Sequence, residues 1–178
     1  MELWDAYDRD GNKTGETLVR GEPVPEGRYH LVSCIVVRHM DGDFLLMRRA
    51  PEKKHYPNIW EIGAGGSVVQ GETAEESAHR ELEEETGIRG GSWSYLGRYV
   101  ESDTIYEGFV CVTGHPKEQV RLQPGETVDF RWLSVKDFID FFDSDQCIDR
   151  FKRRLGAYVD TLRVQQKGFC SMLNDYQV

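Results

Sequence analysis

Residues 66–88, GSVVQGETAEESAHRELEEETGI, constrain this chain more than any other stretch. Gly66 is followed by Glu72, then by the adjacent Arg80 and Glu81, and the run closes with Leu82, Glu84, Glu85, Gly87 and Ile88. Nine fixed or class-restricted positions at set offsets match a random window with a probability on the order of 10^-9. Thr73 suits a helix N-cap, Glu76 three residues on completes a capping box, and Gly87 is the glycine expected just past a helix C-terminus. The spacing therefore predicts a helix over 74–86. On it Ala74, Ala78 and Leu82 recur at helical intervals, while Glu81, Glu84 and Glu85 share one face.

Like charges at that spacing cost an isolated helix roughly 0.2 to 0.5 kcal/mol per pair, so the face asks for a cation. Carboxylates without His or Cys suit a hard divalent ion with oxygen ligands, Mg2+ above all. The plain alternative is a solvated acidic face in a chain with 31 acidic residues; the glycines and Arg80 at fixed offsets weigh against it.

Residues 66–88 match every position of the Nudix box, the loop, helix and loop signature of the Nudix hydrolases, and the chain resembles that family. The resemblance implies an α/β fold, an α/β/α sandwich with a mixed sheet between helices. It also implies attack of water on a diphosphate linked to another moiety X. Carried over position by position, Glu81, Glu84 and Glu85 become metal ligands and catalytic groups, one of them a candidate base for the water. Arg80 would orient a glutamate, Glu72 support the loop, Gly66 belong to the substrate-binding loop, and the Gly65 carbonyl complete a shell around Mg2+ or Mn2+. Cations at such a site neutralise phosphoryl oxygens and help deprotonate water, reconciling a net charge of -9 with an anionic substrate.

Just before the box, RRAPEKKHYPNIWEIGAGG places Arg48, Arg49, Lys53 and Lys54 near the mouth of the acidic site. Arg49 and Lys53 are the chosen diphosphate binders, and Trp60 reads as a packing anchor under the loop rather than a base-stacking residue. This run, with WDAYDRDG and the Tyr29 to Leu31 entry to a strand, is similar to the Nudix branch that contains type I isopentenyl-diphosphate isomerase. That isomerase needs a cysteine and a histidine where this chain has Gly65 and Ser67, and its box is degraded, whereas the box here is intact. Isomerase-like chemistry and a non-catalytic nucleotide-binding sensor are the two alternatives to hydrolysis. Glu107, a charge within the apolar run TIYEGFVCV, is expected either to reach the metals as a further ligand or base or to be paired structurally. Glu126 reads as a turn residue after Pro124 and Gly125, with a mobile catalytic glutamate as the other option.

A length of 178 residues with 39% hydrophobic content suits one well-cored domain. Residues 1–28 read as an appended hairpin, 29–166 as the hydrolase domain and 167–178 as a tail that frays. Strands are expected at 30–38, 44–49, 92–100, 104–114 and 127–134, and helices at 135–142 and 147–166. A pI near 5.1 and no basic run argue against a nucleic-acid polymer as partner, leaving a small diphosphate. No stretch approaches a membrane span, the start MELWDAYDRD is unlike a signal sequence, and a cytoplasmic location is expected. The four cysteines lack metal or redox spacing. The hairpin and aromatic content mildly favour a homodimer.

Overall fold

The structure, a computed structural model, describes the backbone of residues 1–175 and side chains through residue 167. The chain opens with a separate antiparallel hairpin, β1 (Leu3–Tyr7) and β2 (Lys13–Val19). A mixed seven-stranded sheet follows, built from β3 (His30–His39), β4 (Phe44–Arg49), β5 (Trp60–Ile62), β6 (Ala64–Ser67), β7 (Ser92–Glu101), β8 (Thr104–Thr113) and β9 (Thr127–Leu133). Helix α1 (Ala74–Thr86) covers one face, and α2 (Val135–Asp143) and α3 (Asp149–Asp175) cover the other. The expected α/β/α layering is therefore observed.

β3 explains the layering. Its run Ile35, Val36 and Val37 is buried at every position because both faces of the strand are covered. Ile35 and Val37 pack with Ala78 and Leu82 of α1, while Val36 packs with Phe138, Val159 and Leu162 of α2 and α3. β3 runs parallel to β8 and antiparallel to β6, with Cys34 opposite Gly65 and Ser33 opposite Gly66. Its only register pair with β4 is Arg38 with Phe44, so the two strands diverge and the sheet opens where the Gly65 backbone lies.

Two short strands, β5 and β6, were not expected. Three and four residues are too few for alternation to show, and glycine at 63, 65 and 66 disguises the second. The last helix runs through Asp175 rather than ending at 166, so the expected tail boundary is corrected up to that residue; 176–178 lie outside the described residues. Among the described residues no helix is long and apolar enough to cross a membrane.

The hairpin is docked, not merely appended. Trp4 stacks on His30 with ring centroids 4.4 Å apart, the Gly71 amide donates to Asp5 at 3.0 Å, and Gln70 donates to Thr17 at 2.8 Å. At its tip, the carbonyl of Asp10 accepts from Arg98.

Candidate active site

Helix α1 begins as its sequence dictates. The Thr73 hydroxyl accepts from the Glu76 amide, the Glu76 carboxylate accepts from the Thr73 amide, and Gly87 closes the helix in the left-handed conformation at φ 72. Leu82, 1% exposed, anchors the buried face, and Glu81 and Glu85, on its flank, stand against Gly66 and Gly65 of β6.

Arg80 ties that side to the preceding loop. Its Nε and Nη2 donate to the two oxygens of Glu72 at 2.8 and 3.0 Å, its Nη1 to Glu81 at 2.7 Å and Glu84 at 3.3 Å, and Nη2 also to the Ser67 carbonyl at 3.1 Å. A planar guanidinium is the one side chain able to bridge loop and helix in this way. Its bond to Glu72, then those to Glu81, raise its already high pKa. Glu72 also accepts from the Val69 amide at 3.2 Å.

Glycine at position 66 leaves room for the Glu81 carboxylate, which any side chain there would displace. A Cβ there would stand 2.2 Å from the Glu81 carboxyl carbon. A Cβ at Gly65 would stand 2.4 Å from the Ser33 carbonyl, a backbone atom of β3 that cannot step aside.

Glu81, Glu84 and Glu85 border one cleft of about 390 Å3 with Gly65, Gly66, Arg49 and Lys53, so nearly all the site residues expected from the sequence converge. Glu85 opens on this cleft through a small part of its surface, while protein surrounds the rest of its carboxylate. Burial, then the neighbouring charges of Glu81 and Glu61, hold its pKa well above the ordinary carboxylate range. It accepts from the Gly65 amide at 3.3 Å and has no ion pair among the described residues. Burial likewise raises Glu81, against the pull of Arg80. Across the cleft Arg49 chelates Glu61 at 2.9 and 3.0 Å, and Lys53 pairs with Glu126.

Glu107 is the exception. It does not border the cleft; it is 5% exposed, with Oε1 held by Arg98 at 2.6 and 2.7 Å and Oε2 by the Tyr95 hydroxyl at 2.6 Å. The structural option for this residue replaces the expectation of a metal ligand, because its charge is already compensated. Glu126 reverses the preference in the other direction: it borders the cleft rather than serving only as a turn residue.

Glu61, Glu2, Arg20 and Gln123 were missed. Glu2 and Arg20, an ion pair at 2.8 Å, come from the hairpin and border the same cleft. No local pattern marks them, since only the docking of β1 and β2 brings them there. Glu61 had a signal, an acid on a strand entering the glycine-rich loop, but β5 was too short to be read.

Among the described residues, no three acidic, histidine or cysteine groups stand in a preformed metal shell, and Glu81 is turned to Arg80. The donor set nevertheless fits a hard divalent cation. Carboxylates and the Gly65 backbone are oxygen donors, and Glu85 is a largely buried acid that lacks a cationic side-chain partner.

A model of the NUDIX domain matches residues 28–155. An uncharacterized Nudix hydrolase of Listeria monocytogenes is 39% identical over 155 residues, covering 85% of this chain and 90% of that protein. An isopentenyl-diphosphate Delta-isomerase of Corynebacterium diphtheriae is 32% identical over 141 residues, covering 72% of this chain and 76% of the isomerase. Among solved structures, DR0079 of Deinococcus radiodurans superposes with a TM-score of 0.68 at 21% identity, covering 86% of this chain and 99% of the other, a likeness of fold.

Proposed function

This chain belongs to the Nudix hydrolase family, enzymes acting on diphosphate bonds, and we propose that it cleaves a nucleoside diphosphate linked to a further moiety X, using Mg2+ or Mn2+. The observation that carries the reading is Glu85, a largely buried carboxylate without a cationic partner beside Glu81, at the mouth of a cleft whose other wall carries Arg49 and Lys53.

The divalent ion, when bound, neutralises phosphoryl oxygens and lowers the pKa of water. Everything else falls to the chain. Glu81, Glu84 and Glu85 would hold the ion with the Gly65 carbonyl, and one of these carboxylates would take the proton of the attacking water. Arg80 keeps Glu81 and Glu84 in register with the loop through the bridge to Glu72. Lys53 would exchange its present partner, Glu126, for a phosphoryl oxygen, freeing Glu126 within the cleft, while Arg49 would keep Glu61 on Nη1 and turn Nη2 to the diphosphate.

Position 65 disfavours isomerase chemistry despite the resemblance to an isomerase. A cysteine there would drive its Cβ into the β3 backbone at 2.4 Å, so the residue that chemistry requires does not fit this loop. A non-catalytic sensor is disfavoured by the retention of Glu81, Glu84 and Glu85 together with Arg80.

The test is release of phosphate or of nucleoside monophosphate from nucleotide sugars, dinucleotides, nucleoside triphosphates, coenzyme A and isopentenyl diphosphate, with Mg2+ and with chelator. Metal-dependent cleavage of a diphosphate, abolished by Glu85→Gln, is expected. Isomerisation of isopentenyl diphosphate, or binding with no cleavage of any compound, would contradict the proposal.

A further inference from the structure

Behind the carboxylate cleft, on the sheet face covered by α3, lies a space that binding of a diphosphate leaves unused. Arg49 and Gly65 border both the cleft and a second lobe of about 210 Å3, whose walls include Cys34, Tyr106, Phe151 and Arg154. Those four residues also border an adjoining hollow of about 140 Å3, lined largely by apolar groups such as Leu96 and Leu155. The path from carboxylates to interior runs where β3 and β4 diverge.

Arg154 is anomalous in this setting. Its side chain is only 8% exposed, and its guanidinium carbon lies 3.3 Å from the centroid of the Tyr106 ring. The Nε is buried and has no hydrogen-bond partner among the described residues. Among the described residues Nη1 has only the Cys34 sulfur at 3.9 Å, and Nη2 reaches a Glu101 oxygen at 3.5 Å, the limit of a hydrogen bond. Glu101 itself is shared with Arg153. A guanidinium offers five N–H donors, and buried donors left without acceptors are costly. The acid on the lobe's wall, Glu61, is held by Arg49, and a second cation, Arg150, stands in the wall with its guanidinium 4.9 Å from the Tyr56 ring centroid.

We propose that this lobe receives the X moiety of the substrate, and that Arg154 selects an X bearing an anionic group, phosphate or carboxylate, on a compact body packed against Tyr106 and Phe151. The inference rests on the diphosphate reading of the neighbouring cleft. An anion would supply the acceptors that Nε and Nη1 lack, and the burial of Arg154 against Tyr106 limits the water that competes for them. Arg154 is thus a specificity residue, and its positive charge is retained for a ligand rather than for the fold.

Binding is measured by calorimetry to the Glu85→Gln protein, the variant expected to lose cleavage, with two matched pairs. UDP-glucuronate and UDP-glucose differ by a carboxylate; NADP and NAD differ by a phosphate. The charged member of at least one pair is expected to bind about tenfold tighter or more, and the pair that responds identifies the anion. Adding Arg154→Met should bring that ratio near one, with Arg154→Lys intermediate, while Arg49→Met weakens both members alike. Without ligand, Arg154→Met should melt no lower than its parent, because an ill-compensated buried charge is removed; a structural role would lower the melting temperature. Ratios near one for both pairs, or a ratio unchanged by Arg154→Met and Arg154→Lys, would overturn the inference. Wild-type turnover of the same compounds is read separately: a retained binding preference with no cleavage would refute hydrolysis and leave selection by Arg154 standing.

Discussion

Glu85 and Glu107 are both acids drawn out of water, and the protein treats them in opposite ways. Glu107 receives two donors from Arg98 and one from Tyr95, so its charge is compensated within the β7 and β8 pair. Burial, then the adjacent Glu107 carboxylate, push the Tyr95 hydroxyl up to about 12. Glu85 receives one backbone donor and faces Glu81 and Glu61 instead. Burial of a charge therefore does not by itself mark a functional group. A buried acid for which the fold provides no counter-charge is a candidate for one, because it either keeps its proton or takes its compensation from outside the chain.

The largest effect expected from this contrast is on turnover. Glu85→Gln should reduce kcat by about a hundredfold or more in steady-state assays, whereas Glu107→Gln should leave it within about threefold. Comparable losses in both variants would erase the distinction between the two acids. Arg80→Lys, which keeps the charge but cannot bridge Glu72 and Glu81 together, should cost about ten- to a hundredfold in kcat/KM at saturating Mg2+. An activity near wild type would mean that the bridge is not what orders the carboxylates.

Stability should separate the acids in the reverse order. Glu107→Gln leaves Arg98 short of its partner; because that arginine is 39% exposed, the cost should be about 1 to 2 kcal/mol in denaturant unfolding rather than the larger value of a fully buried pair. Glu85→Gln should be neutral or stabilising in chelator. A smaller effect is its pH dependence. The folded-state pKa of Glu85 is raised, so the folded protein holds a proton that the unfolded chain releases. The contribution of Glu85 to the stability of the metal-free protein is therefore fully present below the ordinary carboxylate range and is lost as pH rises from there toward the folded pKa. Glu85→Gln should flatten that decline, leaving the part due to Glu81, which has the same sign. An unaltered pH profile would place the proton elsewhere.

Much of the site was legible because it is local. Glu72, Arg80, Glu81, Glu84 and Glu85 lie within one loop and one helix, and helical geometry turns their spacing into a shared face. Glu107 was ambiguous because its partner is decided by strand register: Arg98 stands directly opposite it across β7 and β8, a pairing that two separate apolar runs do not announce. Glu2 and Arg20 were invisible for the same reason at longer range. The hairpin was recognised, but its docking on Gly71, Gln70 and His30 depends on surfaces rather than spacing. The strong apolar run of β3 marked the sheet centre at once, while β5 and β6 escaped because glycine and brevity remove the signal that alternation would carry.

Binding of Mn2+, followed by electron paramagnetic resonance in the wild-type, Glu85→Gln and Glu107→Gln proteins, tests the central contrast most directly. Wild type and Glu107→Gln should bind the ion alike, and Glu85→Gln should bind it at least about tenfold more weakly. Undiminished binding by Glu85→Gln, or an equal loss in Glu107→Gln, would contradict the assignment of the α1 carboxylates as the metal site.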